Sequence, residues 1–359
     1  MKRVLLLESY YGGSHKYFLQ GLQNYVPAEF QLLTLPARSW KMRMQLSAPW
    51  FVEQIRAKPV DDRQFDTVLC SSLIDVAVLK GLLSTVAGWN SHTRILTYFH
   101  ENQFVYPQQF DVPREYQFAC INFNSAIASD EIAFNSVYNR DSFLAGCRMG
   151  VLAAADMPLP GIIQNLSDRS RILFPGIDFS AIDSLPGKRP VKIPVVVWNH
   201  RWEHDKNPVA FFEALQILEQ RGVDFRLIVL GRDFPASPVC FTQAKKRFQD
   251  KILHFGFVSS YREYVELLGR GDIVVSTSLH EFFGISVIEA VRAGCLPVLP
   301  DRLSYPELFD SKFLYDGDTL ADRLQTIIEN RCRLSREEAR AMTNRFSWPS
   351  LQDSYSAWL

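Results

Sequence analysis

Several absences in this 359-residue chain narrow what it can be. No apolar run approaches the roughly 18 residues that a membrane-spanning helix needs. The start, MKRVLLLESYYGG, imitates a signal peptide only from Val4 to Leu7, because Glu8 cuts the run short of an h-region. There is no net charge either. Lys+Arg and Asp+Glu both number 39, so no global basic field argues for nucleic acid, and only a local patch can do so. The six cysteines, at 70, 120, 147, 240, 295 and 332, form no C-x-x-C pair, and none stands at metal-ligand spacing from a histidine. Most lie in apolar runs, which reads as buried free thiols in a reducing compartment, the cytoplasm. No repeat or low-complexity segment is seen. No G-x-G-x-x-G followed by a ribose-binding acid occurs, which disfavours a nicotinamide-dependent oxidoreductase. No paired-aspartate metal motif stands at a strand end, so no metal is expected.

What is present is alternation. Short apolar runs at 3–9, 65–72, 94–100, 130–136 and 170–178 read as buried strands, and 14–26 and 116–128 read as helices. After SLPGKRPVKIP (184–194), the best linker candidate, the alternation restarts with strands at 195–200, 225–231, 252–258, 272–278 and 295–300. A helix follows the first of these, with Asn207 as N-cap, Pro208 at N1 and Gly222 as its stop. Continuous apolar strands separated by helices imply parallel sheets covered on both faces. The expected fold is α/β, two doubly wound Rossmann-like domains facing across a cleft. Ligands in such sheets bind beyond the carboxyl ends of the strands.

The chemistry-bearing residues fall at those ends. In YYGGSH, Gly12 and Gly13 permit close backbone approach to a ligand before a helix N-terminus; a plain tight turn explains them too. In HRWEHDKNP, Arg201 and Lys206 can neutralise a diphosphate, as a fork and a point charge. Two solvated side chains paired with Glu203 and Asp205 are the other reading. In HEFFGISVIE, Gly284 allows a tight turn, and the main-chain N–H groups of Phe283, Gly284 and Ile285 open a helix toward an anion or sugar hydroxyl. Glu281 precedes that turn. Glu289 lies one helical turn in, among apolar neighbours, where a carboxylate needs partners such as ribose hydroxyls.

The E-x7-E spacing of Glu281 and Glu289, with Arg201 and Lys206 upstream, resembles the retaining, GT-B-fold, nucleotide-sugar glycosyltransferases. The blocks ESYYGGSHK, TLPARSWKMRM, YFHENQFVYP, FNSVYN, HRWEHDKNP and HEFFG together resemble the tRNA-queuosine mannosyltransferases, over nearly the whole chain. The resemblance implies transfer of mannose from GDP-mannose to the queuosine base of tRNA, with no cofactor beyond the donor and no membrane partner. It implies that Arg201 and Lys206 hold the diphosphate, Glu289 the ribose and Glu281 the sugar. Phe283, Gly284 and Ile285 touch sugar and phosphate by main chain; Gly231, Gly256, Phe257 and Val258 lie near the nucleoside. Gly12, Gly13 and His15 close the phosphate side, and His100 and Glu101 face the sugar and acceptor. It also implies domains at 1–187 and 188–345, with 346–359 a helix crossing back to the first.

No far-face nucleophile is evident, so same-face transfer is expected, the departing phosphate helping to deprotonate the acceptor hydroxyl. For the tRNA, residues 36–51 read as a basic-aromatic loop. They supply Arg38, Lys41 and Arg43 with Trp40, Trp50 and Phe51 and no acid, Arg38, Trp40, Lys41 and Arg43 being the RNA candidates, though a solvated loop with its tryptophans packed inward fits as well. Lys245, Lys246 and Arg247 are further phosphate candidates. The rivals are a transferase acting on a lipid or polysaccharide, and a catalytically silent tRNA- or nucleotide-binding module.

Overall fold

The computed structural model describes residues 1–106, 116–153, 156, 159–187, 192–233, 237–317 and 319–359. The chain forms two units, residues 1–177 with 348–359, and residues 178–347. The proline-rich segment 184–194 therefore falls inside the second unit; its residues 188–191, and with them the boundary read at 187/188, lie outside the described residues.

The first unit alternates strands β1 (Arg3–Tyr11), β2 (Glu29–Pro36), β3 (Thr67–Ser71), β4 (Arg94–Phe99), β5 (Glu131–Phe134) and β6 (Ser170–Ile172) with helices α1 (Gly13–Tyr25), α2 (Trp40–Arg56), α3 (Val76–Leu83), α4 (Tyr116–Ala128), α5 (Val137–Ala153) and α6 (Pro160–Asp168). The sheet is parallel, in the order β2-β1-β3-β4-β5-β6. β1 shows why its run reads as apolar throughout. Successive side chains point to opposite faces, and both faces are covered. Leu5 and Leu7 pack with Phe51, Val52 and Ile55 of α2, whereas Val4 and Leu6 pack with Phe18, Leu19 and Leu22 of α1. The chain steps from β1 outward to β2 and then back to β3, so the switch point lies between β1 and β3. β2 escapes a search for apolar runs because it is a half-buried edge.

The second unit comprises α7 (Ser180–Asp183), β7 (Val195–Asn199), α8 (Pro208–Gln220), β8 (Arg226–Leu230), α9 (Cys240–Arg247), β9 (Ile252–Gly256), α10 (Tyr261–Arg270), β10 (Ile273–Val275), α11 (Ile285–Arg292), β11 (Leu296–Pro300), α12 (Tyr305–Leu308), β12 (Leu314–Tyr315), α13 (Leu320–Glu329) and α14 (Arg336–Thr343). Its parallel sheet runs β12-β11-β10-β7-β8-β9, with the switch between β7 and β10. α8 begins as its sequence dictates. The Asn207 side chain accepts from the Ala210 N–H, Pro208 occupies N1, and Gly222, at φ +73°, follows the helix end. The two units thus have the expected doubly wound α/β architecture. The cysteine expectation holds for Cys70, Cys147 and Cys295, which are buried; Cys120 and Cys332 are exposed instead. No helix among the described residues is long and apolar enough to cross a membrane.

The last helix, α15 (Trp348–Trp358), packs on the first unit with α1. Trp348 lies against Gly21 of α1 and Gly176, and a Cβ at either position would overlap its indole. Both glycines are needed for close approach. Overpacking costs about 1–3 kcal/mol and truncating a buried Trp about 3–5 kcal/mol. Gly21→Ala and Gly176→Ala are therefore expected to lower stability in urea unfolding by the smaller amount, and Trp348→Ala by the larger. Unchanged midpoints would show that the ring does not pin α15.

Candidate active site

In the second unit the site grows from a buried cation. Lys206 ends a 3-10 turn (His204–Lys206) after β7, with its side chain buried. Its Nζ lies 3.1 Å from Asp205 Oδ2 and 3.3 Å from Glu281 Oε2, and donates to the His280 carbonyl at 2.5 Å. The backbone joins the same two segments: the N–H groups of Leu279 and His280 donate to the Asp205 carbonyl. The turn after β7 and the loop after β10 are thereby tied together across the switch point. Burial raises the Glu281 pKa, but the Lys206 charge and weaker partners outweigh it, so the net shift is downward. Burial, then the Lys206 charge, pushes His200 and His280 down to about 4, so both are neutral rings. Arg201 differs: 54% of its side chain is exposed, and it pairs with Glu203 at 3.1 Å. The reading of two solvated, acid-paired cations thus describes Arg201 and not Lys206.

Gly284, at φ +96°, precedes α11 as the tight turn requires. Of the three main-chain donors read as facing an anion, Phe283 N–H already points at Glu281 Oε1, at 3.4 Å. Ile285 opens α11. Glu289 sits in that helix and accepts from the hydroxyls of Tyr261 (3.1 Å) and Tyr264 (2.9 Å). Burial raises its pKa to about 7, the tyrosine hydrogen bonds offsetting only part. Asn199 donates to the Tyr264 hydroxyl and to the Ser286 carbonyl, which ties β7 to α10 and α11. At the ends of β8 and β9, Gly231 N–H donates to the Gly256 carbonyl at 3.2 Å, with both residues at positive φ. A Cβ on Gly231 would overlap the His200 carbonyl. Phe257 is exposed beneath the Arg232 guanidinium, 4.5 Å from its ring centre, and Val258 is half-buried beside it.

The first unit holds a second buried cation. His15, in the first turn of α1, directs Nδ1 to Glu8 Oε2 at 3.0 Å and Nε2 to Glu101 Oε2 at 3.3 Å. Burial opposes charge on this ring, but attraction to Glu8 and then Glu101 prevails and lifts its pKa to about 10. The other carboxylate oxygens accept from Ser71 (to Glu8, 3.0 Å) and Ser72 (to Glu101, 2.8 Å) at the end of β3. His100 stacks on His15 with ring centres 4.1 Å apart; burial, then the His15 charge, keeps it neutral. Glu8, His15 and His100 could together offer three atoms to a metal ion, all within 4.8 Å of one another; an ion there would have to replace the proton shared by His15 and Glu8. Gly12 is extended, and a Cβ there would lie 2.6 Å from Ala37 Cβ, whereas Gly13 takes a positive φ. Buried asparagines shape the loop after β4. Asn135 donates to the His100 carbonyl at 2.7 Å, Asn139 to Phe99 at 2.9 Å, and Asn102 to Asn139 Oδ1 at 2.9 Å.

The basic-aromatic segment is corrected: from Trp40 it is the start of α2 and not a loop. Ser39, at φ +51°, turns the chain into that helix. Arg38 and Lys41 are exposed, Arg43 is half-buried, and Trp40 packs against Phe118 and Tyr106. Lys245 and Arg247 lie in the last turn of α9, where Arg247 pairs with Glu219. Reading along the sequence misses Glu8, Ser71 and Ser72 in the first unit and Tyr261 and Tyr264 in the second; Asp205 it offers as a solvated partner, and the structure places it against the buried Lys206. The one sequence signal for Glu8 is a lone acid closing an apolar strand, seven residues before a histidine.

Breaking a buried ion pair from one side costs about 3–5 kcal/mol. His15→Asn is expected to lose that much in urea unfolding. Because the folded pKa of His15 exceeds its unfolded value, its contribution is full below about pH 6.5 and fades as pH rises through about 10. The wild type should therefore approach the variant in strongly alkaline buffer; a constant gap across that range would rule out the charged ring.

The chain matches the family model described as tRNA-queuosine alpha-mannosyltransferase N-terminal over residues 3–177, and Glycosyl transferases group 1 over residues 185–345. It is 31% identical over 342 residues to the tRNA-queuosine alpha-mannosyltransferase of Drosophila melanogaster, covering 93% of this chain and 88% of that one. Over 135 residues (37% of this chain, 35% of the other) it is 28% identical to the GDP-mannose:cellobiosyl-diphosphopolyprenol alpha-mannosyltransferase of Xanthomonas campestris. Among solved structures, the sucrose-phosphate synthase of Thermosynechococcus elongatus superposes with a TM-score of 0.73 at 12% identity, covering 100% of this chain and 98% of that one, a likeness of GT-B fold alone. Similarity along nearly its whole length, through both sets of site residues, shows that the chain belongs to the tRNA-queuosine alpha-mannosyltransferase family.

Proposed function

We propose that this enzyme transfers mannose from GDP-mannose to the queuosine base of tRNA in the cytoplasm, with retention and without a metal. The observation that carries the acceptor is the similarity to the Drosophila enzyme over 93% of this chain; a shorter match to a GDP-mannose-dependent enzyme supports the donor. The geometry supports the chemistry. As the bond from the anomeric carbon to phosphate oxygen breaks, its electron pair passes to the diphosphate, and charge grows there. Lys206 and Arg201 are the cations that stabilise it. Lys206 is fixed by Asp205 and Glu281, so it needs no rearrangement to act. Glu281, kept anionic by that lysine, accepts hydrogen bonds from the sugar hydroxyls. The acceptor oxygen bonds to the anomeric carbon on the face the phosphate leaves, and its proton passes to the departing phosphate oxygen.

Glu289 takes the ribose hydroxyls in exchange for its tyrosines. His100, neutral, and Glu101, held by His15 and Ser72, are the first-unit groups that receive sugar and acceptor. Gly12 and Gly13 leave the main chain open to phosphate.

Incubation with GDP-mannose and queuosine-containing tRNA, followed by nucleoside mass spectrometry, should give a hexose on queuosine alone. Hexose on other acceptors only would refute the reading. Activity should persist in excess chelator; complete loss restored by Mg²⁺ or Mn²⁺ would refute metal independence. Lys206→Ala should lower turnover by about two orders of magnitude or more, the scale of a lost transition-state contact, and normal turnover would remove its diphosphate role. Ionised Glu289 is the better ribose acceptor, so donor affinity should rise as pH increases through about 7. Glu289→Gln should flatten that dependence; an equally steep profile in the variant would assign the titration elsewhere.

A further inference from the structure

A helix on a protein surface ordinarily turns polar residues outward. α2 does not. Its inner face, with Met44, Ala48, Phe51 and Ile55, lies in the core. Its outer face carries Met42, Leu46 and Trp50, exposed by 54%, 56% and 38%. Spaced four apart, they form one stripe about 12 Å long, the reach of three or four stacked nucleotides. No acid occurs from residue 30 to residue 52, and Arg38 and Lys41 are exposed where the helix starts; the helix's one acid, Glu53, lies a turn beyond Trp50 and pairs with Arg56. That start adjoins the site of the first unit: β2 pairs Pro36 with Tyr11, and Ala37 closes on Gly12. The stripe therefore leads away from the strand ends that hold His15. Of the three aromatics that the sequence offers for RNA, Trp40 packs against Phe118, Phe51 is buried, and Trp50 faces outward.

We propose that the outer face of α2 is a platform for the unstacked bases of the RNA loop that carries the acceptor nucleoside, with Arg38 and Lys41 on its phosphates. The proposal rests on tRNA being the acceptor. Unstacked bases lie on aromatic faces such as that of Trp50, which Met42 and Leu46 extend as apolar surface, and the phosphates between them need cations, here at the start of the helix, at the end away from Glu53. A membrane also accepts an apolar stripe with basic flanks. RNA is favoured because the cations cluster at the end next to the acceptor-side groups.

The test compares wild type with Met42→Ser, Leu46→Ser and Trp50→Ala combined, on a queuosine-containing anticodon stem-loop. KM for the RNA should rise tenfold or more, with kcat falling much less and KM for GDP-mannose unchanged. Trp50→Phe alone, which keeps a ring, should stay near wild type. Arg38→Ala with Lys41→Ala should lower the slope of log affinity against log salt by about 1.4. An unchanged RNA KM in the folded triple variant overturns the platform. If that variant instead loses co-sedimentation with phosphatidylglycerol vesicles, the face is a membrane contact; if its sedimentation coefficient shifts, it is a contact between copies. Should wild type modify no queuosine RNA, the acceptor reading fails. Anisotropy with labelled stem-loop then decides the platform alone: weaker binding by the triple variant supports it, equal binding overturns it.

Discussion

A charge withdrawn from water must take its counter-ions with it, and both sites are built on that constraint. Lys206 is buried, so Asp205 and Glu281 accompany it; His15 is buried, so Glu8 and Glu101 do. Each cation lies beside a switch point, where the divergence of successive crossovers leaves room beyond the strand ends. The cations then fix the acids. Glu281 is placed by Lys206, and Glu101 by His15 and Ser72. A group that must meet a developing charge in one geometry is best held this way, because its reorganisation cost is met during folding.

The two glutamates around Gly284 show how environment divides like residues. Glu281 has an ammonium at 3.3 Å, and its pKa is lowered despite burial. Glu289 has two tyrosine hydroxyls and no cation among its named partners, and its pKa climbs to about 7. Hydroxyls satisfy a carboxylate's lone pairs but do not neutralise its charge. The first is a permanent anion suited to hold sugar hydroxyls. The second sits near its titration point; in the ribose contact proposed above, sugar hydroxyls would replace the tyrosines.

Buried asparagines order the chain around these ions, while Asn199 Oδ1 and His200 Nε2 are buried without a hydrogen-bond partner among the described residues. Asn135 and Asn139 hold the loop after β4 through the His100 and Phe99 carbonyls, and Asn102 donates to the Asn139 side chain, which aims His100 and Glu101 without a regular element. Asn199 does similar work for α10 and α11. On the opposite principle, α2 leaves three large apolar side chains to solvent, with its one acid, Glu53, paired to Arg56 near the far end, which is costly for a helix with no partner.

By itself the sequence determined what is local. β1, β3, β4 and β7 are legible because strands buried on both faces are continuous apolar runs. The start of α8 is legible because Asn207 and Pro208 cap in place, and the turn at Gly284 because only glycine takes its φ at no cost. Lys206, Glu281 and Glu289 could be picked out by type and spacing. Their states could not. Tertiary structure alone decided that Lys206 is buried while Arg201 is exposed, that Tyr261 and Tyr264 meet Glu289, and that Glu8, seemingly an interruption in a strand, clamps His15. It also made the segment from Trp40 a helix and turned Trp40 in and Trp50 out. The physical reason is range. Period, cap and φ act over a few residues, whereas burial and ion pairing depend on which strands become neighbours, and that is set by how the whole sheet is wound.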